Sequence, residues 1–158
     1  MAEFWPAEIC NSNRQSDLCS WVLVLGQQNV GHEKAPKNGT IVKLRLRSCS
    51  AGSFILQLAV AIPAQHKARA VRTGPAINYK GDPSNCEGGN VIETFNVNVP
   101  VLKDEYLAVI ATKVGFIYSS GDREDVFDPL LADGVGLRAT NNVGRGSGLL
   151  LLQAEMSN

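Results

Sequence analysis

Five carboxylates crowd one short stretch of the chain: Asp122, Glu124, Asp125, Asp128 and Asp133. Hard cations take several carboxylate and carbonyl oxygens from one pliable loop, so this is where the chain would hold calcium. The spacing is not that of a helix–loop–helix calcium site, and the plain alternative is a solvated acidic loop partly neutralised by Arg123. Opposite in sign, Lys43, Arg45 and Arg47 alternate with Val42, Leu44 and Leu46. On a strand, that alternation puts three cations on one face and the aliphatic residues on the other. Such a face, extended by Lys67, Arg69 or Arg72, would attract a polyanion such as an acidic polysaccharide. Outward Lys and Arg also guard strand edges against aggregation. A third chemistry is stacking. Trp5, Tyr79, Tyr118 and Phe127 fall in or beside turn-rich stretches, where flat rings can pack on sugar rings. With aromatics at only 6% of the chain, each ring also has a place in the core.

Signals for catalysis are sparse. The two histidines, His32 and His66, sit in polar segments without a metal-protease or nucleophile-elbow context. Glu93 is the one acid well inside a strand-like run, and a sugar hydrolase would need a second carboxylate facing it. Gly144-Arg145-Gly146-Ser147-Gly148 resembles a phosphate loop only in its glycines. It lacks the Lys–Ser/Thr pair and precedes a strand, so it reads as a turn. Asn38-Gly39-Thr40 matches a glycosylation acceptor. No catalytic residue is nominated, and the reading is non-enzymatic.

Four cysteines, Cys10, Cys19, Cys49 and Cys86, lack the close pairing of a zinc site. An even count in a small chain fits two disulfides and an oxidising compartment, with buried free thiols as the alternative. Four cysteines allow three pairings. Cys10–Cys19 would close an N-terminal loop, and Cys49–Cys86 would tie a strand end to a Gly/Asn-rich loop. The opening MAEFWPAE has neither the basic nor the apolar region of a signal peptide, so an exported chain would have lost its leader. A net charge of +0 gives no reason to expect nucleic acid or an anionic membrane as partner. No apolar run is long enough to span a bilayer as a helix.

The elements that must position these groups are strands. A chain of 158 residues is expected to be one domain, with an arm over Met1 to Asp17. Its 15 glycines and 7 prolines punctuate short runs of alternating or continuous hydrophobicity. Leu18–Leu25, Thr40–Cys49, Phe54–Ile62, Lys67–Thr73, Val91–Val99, Tyr106–Thr112, Gly115–Tyr118, Val135–Thr140 and Leu149–Glu155 read as strands. Ala51-Gly52-Ser53 reads as a turn, and Gly74 to Asn90 as a long loop. Val91–Thr112 looks like a ribbon of two strands joined by Lys103-Asp104-Glu105. Its first strand buries Phe95, Val97 and Val99 and wets Asn96 and Asn98. Its second is apolar on both faces, which suits a buried centre or a contact between copies. With no helix of ten residues in sight, the fold expected is all-β, a two-sheet antiparallel β-sandwich or jelly roll of about eight or nine strands.

Phe127-Asp128-Pro129-Leu130-Leu131-Ala132-Asp133-Gly134, with the later Leu150-Leu151-Leu152-Gln153-Ala154-Glu155 and the NVNVPVLKDEYLAV ribbon, resembles small β-sandwich modules of secreted bacterial multidomain proteins. The resemblance spans roughly Gly39 to Glu155. It implies the fold and an extracellular or cell-surface location, and no catalytic residue. The function expected is therefore binding, to carbohydrate or another surface polymer. The alternative is a self-assembling subunit of a surface layer, filament or particle, and a polysaccharide hydrolase or lyase comes third.

Overall fold

The computed structural model describes residues 4–8, 18–24, 34–118, 125–127, 129–140, 142–143 and 149–157, with backbone alone for 4–8, 117–118, 142–143 and 149–150. The protein is an all-β sandwich. The described residues form thirteen strands: β1 (Phe4–Glu8), β2 (Cys19–Val22), β3 (Gly39–Leu46), β4 (Gly52–Ile62), β5 (Lys67–Tyr79), β6 (Glu93–Val101), β7 (Tyr106–Ala111), β8 (Lys113–Tyr118), β9 (Asp125–Phe127), β10 (Arg138–Ala139), β11 (Asn142–Val143), β12 (Leu149–Leu150) and β13 (Leu152–Ser157). Eight of them have five residues or more. The helical pieces described are two 3-10 turns, Pro63–Gln65 and Pro83–Glu87. No described helix is long and apolar enough to cross a membrane.

One layer is a seven-stranded sheet in the order β10-β5-β4-β7-β2-β9-β11. The other is made by two three-stranded sheets, β13-β3-β6 and β1-β8-β12. The chain runs from β12 into β13 with only Leu151 between, and that residue's N–H donates to Phe116 O at 2.9 Å. The main core lies between the layers. Trp21, Leu56, Leu58 and Val109 from the large sheet meet Ile41, Leu44, Leu46 and Leu152 from one small sheet and Phe116 from the other.

The ribbon at residues 91–112 is not a hairpin. β6 pairs with β3 in a small sheet, whereas β7 lies between β4 and β2 in the large one. The turn between them carries the chain from one layer to the other. Asp104 takes the left-handed conformation there, with φ of 74°. Glu105, 5% exposed, accepts from Leu102 N–H at 2.8 Å and from Arg72 Nη1 at 2.9 Å. Arg72 also donates to Pro100 O at 3.0 Å, so one guanidinium joins the large sheet to the crossing. The expected faces hold: Asn96 and Asn98 are exposed, Val99 is buried, and β7 is covered on both sides.

Three other expectations change for local reasons. A register shift between Ile41 and Lys43 breaks the alternation of β3, so Ile41 enters the core and Val42 stays half-buried. β4 begins at Gly52, inside the expected turn. β5 continues through Gly74 and Pro75 to Tyr79, where a loop was expected. Proline is tolerated because Pro75 falls in the bulge between the Ile55↔Ala76 and Gln57↔Thr73 pairs, and because β5 pairs with β10 only at Lys67 and Ala68, leaving the rest of its outer edge free of a described partner strand.

The large sheet has a second buried face. Val22, Ala59, Ala68, Ala70, Ala108, Phe127 and Leu131 share it. Residues 129–140 cross this face as a strap; within it β10 forms one margin of the sheet against β5, and β11, pairing with β9, forms the other. A buried polar triangle pins the strap. Ser20 Oγ donates to Gln57 Oε1 at 2.8 Å, Gln57 Nε2 donates to Leu131 O at 2.7 Å, and Leu131 N–H donates to Ser20 Oγ at 2.9 Å. Ser20 and Gln57 are both fully buried. A Ser20→Ala variant is expected to strand two of these groups and cost about 2–3 kcal/mol. A lowered urea midpoint with unchanged slope would show it; an unchanged midpoint would mean that the triangle contributes nothing.

Candidate functional site

The structure disperses most of the residues nominated from sequence. Tyr79 lies in β5 and is 4% exposed, its ring edge-on to Phe116 with centroids 5.4 Å apart. Its hydroxyl accepts from Gly115 N–H at 3.1 Å, so it is a core ring and not an exposed stacking platform. Burial, reinforced by the Glu93 carboxylate, holds the phenol above its ordinary range against the lowering effect of the Gly115 hydrogen bond. Phe127, expected in a loop, is fully buried in β9 under the Arg138 guanidinium. Trp5 and Tyr118 face each other's strands in the β1–β8 ladder, but their side chains lie outside what is described.

The acidic stretch is also redistributed. Asp122, Glu124 and Asp128 lie outside the described residues. Asp125 is a strand residue, 1% exposed, with Oδ1 2.9 Å from Nδ1 of His66 and Oδ2 without a hydrogen-bond partner among the described residues. It is thus no loop ligand reaching into water. His66 itself stands at φ of 52° after the 3-10 turn, and its carbonyl accepts from Thr140 N–H at 2.7 Å. Side chain and backbone together clip the β4–β5 turn to β9 and the strap. Asp133 is exposed and accepts from Thr73 Oγ1 at 3.0 Å. Among the described residues no three His, Cys, Asp or Glu groups gather as a metal site.

Lys43, Arg45 and Arg47 do share the outer face of the small sheet, but β13 lays Glu155 beside them. Arg45 Nη2 donates to Glu155 Oε2 at 2.6 Å, and that bond, then the charges of Arg45 and Lys43, holds the carboxyl below its usual range. Arg47 Nη1 donates to Asn90 Oδ1 at 3.1 Å. Glu93 is committed too: its oxygens accept the N–H groups of Lys80 and Gly81 at 2.9 and 2.7 Å.

That carboxylate belongs to a stitched corner. Cys49 and Cys86 are joined by a disulfide, as expected from sequence. Cys19 is also in a disulfide, and Cys10, its expected partner, lies outside the described residues. Asn85 is buried beside the bridge, donating to Ser48 O at 2.8 Å and Val91 O at 2.9 Å and accepting from Val91 N–H. Gly81, at φ of 70°, passes so close to Ser50 that a Cβ would stand 2.5 Å from its backbone. Only glycine fits there.

Beyond this corner the outer face of the large sheet opens into a cleft of about 710 Å³. It is bounded by Leu18, by residues 50–55 and by Ala76, Asn78, Tyr79 and residues 110–115. Residues directly opposite on antiparallel strands share a face. The pairs Ile55↔Ala76 and Ile55↔Ile110 therefore lay an apolar row across β5, β4 and β7, and Ser53↔Asn78 sets a polar row beside it. Ala76, Ser53 and Asn78 are exposed and Ile55 is half-buried. Gly52 forms one wall because a Cβ would lie 2.4 Å from the Tyr79 hydroxyl beneath it. Of the polar residues here, Tyr79 was singled out from sequence, but Ser53, Asn78 and Lys113 were not. Their common face depends on the register of three strands that are distant in the chain.

No protein-family model matches the chain, and no curated protein or solved structure matches it either.

Tyr79→Phe is expected to leave Gly115 N–H unpaired and lower stability by about 1–2 kcal/mol. In the intact protein one tyrosine should resist ionisation at pH values where exposed phenols titrate. The folded chain keeps a proton that the unfolded chain releases near pH ~10, so stability should fall as pH rises beyond that point. An alkaline absorbance titration in which all tyrosines ionise together, without unfolding, would contradict this.

Proposed function

We propose that the chain is an extracellular, non-catalytic binding module that receives carbohydrate or another surface polymer in the cleft on its large sheet. The observation that carries this reading is the pairing of an apolar row with an adjacent polar row on one accessible sheet face. A sugar ring has the same division, with C–H faces that favour apolar contact and hydroxyls that need donors and acceptors. The disulfide corner supports the location, since such bonds persist in oxidising compartments. It also supports preorganisation, because it anchors Ser50–Gly52 at the cleft wall. Joining residues 37 apart, it is worth about 4 kcal/mol in the chain-entropy account. The aromatic stacking anticipated from sequence has no part in this version, as Tyr79 borders the cleft but is only 4% exposed. Self-assembly draws no support from β7, whose two faces are covered within the protomer.

On a glycan array, saturable binding to at least one polymer is expected. Asn78→Ala should weaken it by about fivefold through loss of one neutral hydrogen bond. Because Asn78 is exposed, stability should change by no more than about 0.5 kcal/mol. Arg45→Gln, on the opposite layer, should leave affinity unchanged. Binding lost in the Arg45 variant and kept in the Asn78 variant would move the site to the small sheet.

A further inference from the structure

Resting on the cleft as the binding site, we infer that its ligand is an acidic polysaccharide, held by a sugar carboxylate at Lys113. Among the described residues lining the cleft, Lys113 is the only charged one, and none is acidic. It is exposed and forms no ion pair among the described residues, while Arg45 and Arg72 elsewhere are engaged with Glu155 and Glu105. Ser53 and Asn78 present a hydroxyl and a carboxamide on the same floor, and neither side chain is engaged by a hydrogen bond among the described residues. A polymer of uronic acid type meets all three features. Its ring C–H face lies on Ile55 and Ala76, with the buried Ile110 continuing the apolar row behind them, its hydroxyls meet Ser53 and Asn78, and its carboxylate meets the ammonium.

The charge matters more here than in a site built on stacking. No exposed aromatic ring lines the described cleft, so the apolar row offers only modest contact area. A charge-assisted hydrogen bond is the strongest single interaction such a surface can make. One carboxylate lies close in register: Glu8 of β1 stands directly opposite Lys113 in the ladder. Opposite positions on antiparallel strands share a face, so removing the acid at that ladder position should favour binding.

The probes are polygalacturonate, alginate and hyaluronate, each beside its carboxyl-reduced counterpart, titrated against the intact protein by calorimetry. At least one acidic polymer is expected to bind, with affinity falling about tenfold or more after carboxyl reduction and by a similar factor in Lys113→Gln. Lys113→Arg should restore most of it, Glu8→Gln should equal or exceed the parent, and added salt should weaken binding. Equal binding of acidic and reduced polymers, or an unaffected Lys113→Gln variant, would overturn the assignment while leaving the cleft as a binding site if Asn78→Ala still weakens it. Binding of neutral glycans alone would do the same. If no polymer on the array binds, the reading of the cleft itself fails.

Discussion

Backbone amides at the middle of the large sheet have no water to turn to. Trp21, Leu56 and Val109 are sealed on one side of it, and Ser20, Gln57 and Ala108 on the other. Every N–H and C=O there must be matched by a neighbouring strand, and every polar side chain by another group. The Ser20–Gln57–Leu131 triangle is the visible result. It also requires that two coverings exist. The paired small sheets supply one. The strap at residues 129–140 supplies the other, over a face lined by alanines small enough to let it approach. A cleft remains where the strap and its contacts stop and the outer face of β4 and β5 reaches water.

Some of this could be read directly from the order of residues. Period-two alternation located β6, and continuous hydrophobicity announced that β7 would be buried on both faces. The Cys49–Cys86 bridge followed from loop length and cysteine parity. Other features were hidden because they depend on partners far away in the chain. Nothing in NVNVPVLKDEYLAV distinguishes a hairpin from a crossing between layers; Glu105 decides it by engaging Arg72 from β5. Pro75 looked like a loop residue because its strand has a free margin, which no local pattern reveals. Tyr79 and Phe127 lie near turn-rich sequence and yet point inward, since β5 extends further than composition suggested and β9 forms where a loop was expected. The candidate site was the least legible. Ser53, Ile55, Asn78 and Lys113 are unremarkable in sequence and become a surface only through strand register.

Charge is placed with restraint. The buried Asp125 sits against His66, and Glu105 sits against Arg72, so among the described residues the two buried carboxylates each have a basic partner within hydrogen-bond distance. On the outer face of the small sheet, Glu155 answers Arg45. Lys113 at the cleft forms no ion pair among the described residues, and an exposed ammonium on a surface without acidic lining can meet an anionic group supplied from outside.

The position of β3 has a consequence for how the chain acquires its shape. β3 takes β6 on one side, and on the other it takes β13, with Arg45 and Glu155 meeting across 110 residues. During synthesis the β3–β6 pair can form early, but it must then wait for the last strand with Leu44 and Leu46 only partly covered and one row of amides open. During that interval an open strand edge and partly covered apolar surface are exposed together, the combination most prone to self-association. Pairing of β13 with β3 closes that edge and completes the cover over Leu44 and Leu46.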